Sequence, residues 1–108
     1  MEKGQEQLDK IFMALADATR RDLVHRLSQG SCTMNELAAP FDMSLAAVSK
    51  HVKVLERAGL VTRRVEGRCH HLSLRSTPLA SALDWISVYR AFWTDKLDDL
   101  EQFLSEDD

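Results

Sequence analysis

Ser44-Leu45-Ala46-Ala47-Val48-Ser49-Lys50-His51-Val52-Lys53-Val54-Leu55-Glu56-Arg57-Ala58-Gly59-Leu60 contains the start, the body and the stop of one helix. The Ser44 hydroxyl can accept a backbone N–H that the first turn leaves unpaired. Gly59 supplies the left-handed residue that closes many helix C-termini. Val48, Val52 and Leu55 recur at i, i+4 and i+7 and share one side. Ala46, Lys50, Lys53 and Arg57 fall on the other. The outer side is therefore slim at its N-terminal end and cationic further along. A helix that enters the DNA major groove needs this combination. Small residues allow approach to the base edges, short polar groups read them, and cations meet the flanking phosphates. A solvated surface helix with a few lysines has the same pattern, so the neighbouring segments decide its meaning.

Upstream, Leu8, Ile11, Phe12 and Leu15 have helical spacing and predict a first helix over residues 8–16. Asp17 is placed to cap a second over 18–29, with Leu23, Val24 and Leu27 inward and Gly30 as its stop. Thr33-Met34-Asn35-Glu36 is a capping box. It opens a short third helix, with Leu37 and Ala38 inward, that Pro40 ends or distorts. Phe41-Asp42-Met43 then makes a tight connection, with Phe41 and Met43 as apolar plugs. A short helix, a turn and a longer capped helix make a helix-turn-helix over about 33–59.

Downstream of Gly59 the period changes to two. Residues 60–65 alternate, and so do 69–74, with Glu66-Gly67-Arg68 between them. That is a β-hairpin, a wing over about 60–75. Arg63, Arg64 and Arg68 would there meet phosphates or a minor groove. The same charges also protect a bare hairpin edge. Thr77-Pro78 reads as the cap and first residue of a last helix over about 78–104. Leu79, Leu83, Ile86, Arg90, Trp93, Leu97, Leu100 and Leu104 follow 4-3-4-3 spacing, broken only at Arg90. Trp85, Tyr89 and Phe92 form a second stripe beside it. Two stripes exceed what a small core covers, so the surplus calls for a partner, most simply a second copy.

With 108 residues the chain is expected to be one domain, 1–108. There is no run of about 18 apolar residues and no secretory signal, which places it in the cytoplasm and off the membrane. The net charge of −3 argues at first against a nucleic-acid partner. Its distribution argues the other way. Ser44 to Arg75 holds seven Lys/Arg against two acids, whereas Ser76 to Asp108 holds two against eight. A basic central block marks a face for an anion. No nucleophile–base pair or phosphate-cradling glycine loop can be assembled, so no enzyme and no cofactor are expected.

The pattern Ala14-Leu15-Ala16-Asp17-Ala18-Thr19-Arg20-Arg21, then Asn35-Glu36-Leu37-Ala38, Ser44 through His51, Val54 through Val61 and Glu66-Gly67-Arg68 resembles the ArsR-type winged-helix repressors over nearly the whole chain. The resemblance implies a mainly α fold: four helices, a small β-hairpin and a fifth helix. It also implies a homodimer joined by the first and last helices, and double-stranded operator DNA bound through the fourth helix and the wing. Repression would be relieved by a signal whose nature these residues do not name. Carried over, Ser49, Lys50 and His51 face DNA, with Leu45 and Ala46 at the leading edge beside Ser44, and Lys53 following. Arg20 corresponds to an arginine that touches DNA backbone or is structural. His51 projects nearer the apolar side than Lys50, which leaves both a DNA contact and a half-buried support open to it. The dimer seam would comprise Leu8, Ile11, Phe12, Leu83, Ile86, Tyr89, Trp93, Leu97 and Leu100.

Departures from the metal-sensing members place the chain in a non-metal-sensing subgroup. The third helix, Glu36-Leu37-Ala38-Ala39-Pro40, lacks the Cys-x-Cys pair, and residues 79–108 contain no His or Cys. His70 and His71 are adjacent on a strand and would point to opposite faces, a poor chelate. No metal site is expected. Two alternatives stay open: a repressor switched by oxidation of Cys32 and Cys69, and a winged-helix module that holds a protein and not DNA.

Overall fold

The computed structural model describes residues 2–106, with the side chains at 2, 3, 90, 91, 93 and 106 outside the described set. The elements run α1 (Glu2–Leu15), α2 (Ala18–Ser28), β1 (Cys32–Thr33), α3 (Met34–Ala38), α4 (Leu45–Arg57), β2 (Val61–Glu66), β3 (Cys69–Leu74) and α5 (Ser76–Glu106).

Local chemistry sets most boundaries. Asp17 accepts from the Arg20 N–H at 3.0 Å and caps α2. Thr33 and Glu36 satisfy each other's backbone at 3.0 and 3.2 Å and open α3. Ser44 accepts from the Ala47 N–H at 3.1 Å and opens α4. The α4 C-terminus closes as a Schellman motif: Leu60 N–H donates to Leu55 O at 3.0 Å and Gly59 N–H to Glu56 O at 2.9 Å. Gly59 has φ +78°, which an L side chain resists. Leu55 and Leu60, either side of that turn, are both buried.

Two boundaries and one element differ from the sequence expectation. α1 begins at Glu2, because Glu, Lys and Gln around Gly4 favour helix without an apolar rhythm to reveal it. Gln7 there donates to Ala58 O at 2.8 Å and ties α1 to the end of α4. α5 begins at Ser76, so Thr77 is helical and not its cap. Pro78 is tolerated in the first turn because its missing N–H would be unpaired there anyway. The hairpin has a third strand. β1 is two residues long, too short to show alternation, and pairs antiparallel with β3 through Cys32↔Leu72 and Thr33↔His71. The sheet order is β1-β3-β2.

Ile11, Leu23, Leu37, Val48, Val52, Leu55, Leu60 and Leu72 are buried in one contiguous cluster to which every helix and the sheet contribute, α5 through Ala82. Phe41 packs on it as expected, but Met43 is exposed. Ile11 corrects the expected dimer seam: it is fully buried within the protomer and keeps no surface for a partner. The α1 stripe divides, with Ile11 and Ala14 inward and Leu8 and Phe12 half-buried at the edge. Trp85 of α5 meets Phe12 edge-on at 5.5 Å between ring centroids. From Leu83 to Ser105 every described α5 side chain is exposed. The Trp93 side chain, placed in the seam by its spacing, lies outside the described residues. With 31 residues α5 is about 46 Å long, and the molecule measures 66 × 36 × 21 Å. Among the described residues no helix is long and apolar enough to cross a membrane.

Candidate nucleic-acid interface

The three buried residues Val48, Val52 and Leu55 fix the rotation of α4. That rotation turns Ser44, Leu45, Ala46, Lys50 and Lys53 to solvent and leaves Ser49 half-exposed. Leu45, half exposed at the leading end, offers a methyl-sized apolar contact of the kind a thymine accepts. The first half of α4 faces the hairpin across an open cleft of about 580 Å³. Leu45, Ala46 and Ser49 form one wall and Arg63, Arg68 and His70 the other.

Strand parity decides which wing residues reach the cleft. Opposed residues share a face, and the register pairs Val61↔Leu74, Arg63↔Leu72 and Val65↔His70. Leu72 is fully buried, so Arg63 and His70 lie on the core-facing side of the sheet. Arg63 Nη2 donates to Glu56 Oε1 of α4 at 2.6 Å, and its Nη1 lies 3.0 Å from His70 Nδ1. A guanidinium only donates, so Nδ1 is the acceptor in this contact. Arg63, expected among the phosphate contacts, is thus engaged inside the protein. The odd-numbered run Val61, Arg63, Val65 in the sequence held that signal; Glu56 and His70 were missed as its partners. Arg64 is on the opposite face, 72% exposed and 3.3 Å from Glu66. Arg68 is exposed at the turn beside Gly67, whose φ is +60°.

Behind α4, His51 is 22% exposed. Its Nδ1 lies 3.3 Å from Arg20 Nη1 and 3.8 Å from Asp17 Oδ2. Arg20 faces the end of α1, which has no basic residue in its own last turn. Its Nε donates to Ala14 O at 2.6 Å and its Nη2 to Met13 O at 3.0 Å, while Arg21 Nη1 donates to Leu15 O at 2.8 Å. Two arginines from the start of α2 therefore satisfy the carbonyls that α1 leaves open. The Arg20 N–H, then the His51 and Arg20 charges, hold the Asp17 carboxyl below its ordinary value of 3.8. The Thr33 backbone and hydroxyl do the same for Glu36, whose ordinary value is 4.5.

The cysteines do not form a pair. Cys32 shares the core-facing side with its opposite number Leu72, and Cys69, three residues along β3, lies on the other side. Burial pushes the Cys32 thiol up, away from the reactive thiolate. Both thiols are free, and strand parity puts them on opposite faces of the sheet. His70 and His71 point apart, to Arg63 and to Glu66 respectively. Among the described residues no three His, Cys, Asp or Glu converge as a metal site.

A capped helix that turns a slim cationic face outward, followed by a basic antiparallel hairpin, defines a winged helix-turn-helix protein. A helix-turn-helix domain family matches residues 15–64. The chain is 37% identical over 99 residues to the HTH-type transcriptional regulator Rv2034 of Mycobacterium tuberculosis, spanning 92% of this chain and 90% of the relative. It is 28% identical to the transcriptional repressor SdpR of Bacillus subtilis over 73% of this chain and 88% of that one. Its fold matches the crystal structure of an ArsR family transcriptional regulator, RHA00566, with a TM-score of 0.76 and 39% identity over 83% of this chain and 93% of the other. The chain belongs to the ArsR family of winged helix-turn-helix transcriptional regulators.

Proposed function

We propose that the chain is a homodimeric, sequence-specific repressor that holds a palindromic double-stranded DNA operator in the cytoplasm, without a metal at any known family site. The observation that carries this reading is the outward face of α4, which joins small residues at its leading end to Lys50 and Lys53 and stands across an open cleft from a basic hairpin. Ser44, Leu45, Ala46, Ser49 and Lys50 approach the base edges. Lys53, Arg64 and Arg68 meet phosphates, and His51 and Arg20 support α4 from behind.

Dimerisation is supported by α5. Among the described residues, ten large apolar side chains from Leu83 to Leu104, Leu83, Ile86, Tyr89, Leu97 and Leu100 among them, are each 42–70% exposed. Together they offer on the order of 1,000 Å², against about 800 Å² per partner in a stable interface. Leu8 and Phe12 extend that surface onto α1. The repressor role is supported by the likeness to SdpR, a named repressor.

Lys50→Glu tests the reading in a gel-shift titration against the DNA upstream of the protein's own gene. It is expected to weaken binding about tenfold or more. An unchanged affinity would move the reading surface off α4.

A further inference from the structure

Beyond the cleft, three side chains tie α4 to the hairpin. Glu56 comes from the last turn of α4, Arg63 from β2 and His70 from β3. We propose that these three side chains clamp the wing at a fixed angle to the recognition helix, so that Arg63 is a positioning residue for DNA binding and not a phosphate ligand. The proposal rests on the DNA-binding reading above.

Three observations converge on it. The Glu56–Arg63 pair is short, at 2.6 Å, and its side chains are only 28% and 19% exposed. Of the remaining guanidinium nitrogens, Nη1 meets His70 and Nε is buried, so neither faces the solvent side where a phosphate would lie. To reach a phosphate, Arg63 would have to abandon Glu56 and leave a half-buried carboxylate behind. The clamp also sits where it is mechanically needed. β1 supports β3 only at Leu72 and His71. From His70 outward the hairpin has no neighbouring strand among the described residues. Arg63 pairs with Leu72, inside the supported part of the sheet, and His70 is the first unsupported residue of β3, so their contact spans that limit. The turn at Gly67 is four residues beyond Arg63, or about 13 Å. A tilt of about 10° at the clamp would move Arg68 by roughly 2 Å, enough to lose a phosphate hydrogen bond.

Glu56→Gln separates the two roles by sign. It adds one positive charge per protomer, and it would also free an Arg63 that sought phosphate. Both effects predict tighter DNA binding. The clamp predicts weaker binding. The dissociation constant for a mixed-sequence duplex of about four helical turns should rise about threefold or more. The slope of log K against log salt should stay that of the parent protein. Arg68→Gln, a direct contact, should lower that slope by about 0.9 per protomer. A second readout needs no DNA: amide hydrogen exchange in Glu56→Gln should quicken over residues 65–70 and not over the middle of α4. Glu56→Asp, which keeps the charge but shortens the reach, should act in the same direction and serves if Glu56→Gln does not fold. Tighter binding with a steeper slope, or unchanged exchange at 65–70, overturns the clamp. A parent protein that binds no duplex overturns the DNA reading instead, and the exchange experiment still decides the clamp.

Discussion

Arg20 joins three elements through one guanidinium. It closes the end of α1 on Met13 and Ala14, meets His51 on α4, and its own N–H is capped by Asp17. Its removal takes the side-chain donors from the Ala14 and Met13 carbonyls and leaves the half-buried His51 imidazole with Asp17 alone. Arg20→Ala should cost about 2 kcal/mol, read as a lower urea midpoint. Arg20→Lys should recover little of it, because an ammonium lacks the planar fork that spans two acceptors. A full rescue by lysine would reduce Arg20 to a point charge near the helix end. The two cap carboxylates make a separate prediction. Asp17 and Glu36 are both held below their ordinary values of 3.8 and 4.5. Their contribution is therefore complete above those values and is lost as pH falls through and below them. The melting temperature should drop as pH falls below about 4.5. Asp17→Asn, which keeps the cap but not the charge, should flatten that drop. An identical pH profile for Asp17→Asn would show that the cap's charge adds nothing.

Among the elements, those with a local signature were legible and those defined by a distant partner were not. The caps at Asp17, Thr33 and Ser44 and the stop at Gly59 act within a few residues, and the structure holds each of them. The two-residue β1 exists only because β3 lies beside it. Ile11 and Phe12 share a helical stripe, yet the core claims one and leaves the other at the edge, which depends on where α5 crosses. Arg63 belongs to the basic stretch by charge, but strand parity sets it on the face of the buried Leu72 and beside Glu56. The α4 stop has its own test. Gly59→Ala puts a methyl at φ +78°, 3.3 Å from Gln7 Nε2 and 3.8 Å from Pro78 Cγ. The left-handed conformation alone costs about 1–2 kcal/mol. The urea midpoint should fall with an unchanged slope. An unaffected midpoint would mean the turn can relax out of the left-handed region.

At the scale of the whole molecule, charge and apolar surface are separated. The positive balance lies on α4 and the hairpin, and the acidic excess lies on α5, which also carries the exposed stripes. A net-negative chain can therefore present a positive face to DNA while its acidic end is turned to a seam. Leu97→Glu places a charge in the proposed seam at a position 62% exposed in the protomer, so folding should be unaffected. Sedimentation should show a monomer where the parent is a dimer. A dimer that persists moves the interface off this part of α5. DNA binding should weaken along with dimerisation, since two half-sites are gripped only by linked copies.

Footprinting of the bound upstream DNA by hydroxyl radicals tests the paired-helix reading most directly. Two copies joined along α5 and presenting one α4 each should protect two symmetry-related half-sites on one face of the duplex, about one helical turn or 34–36 Å apart. Lys50→Glu should erase both together. A single protected tract without symmetry, or two tracts that survive Lys50→Glu, would contradict it.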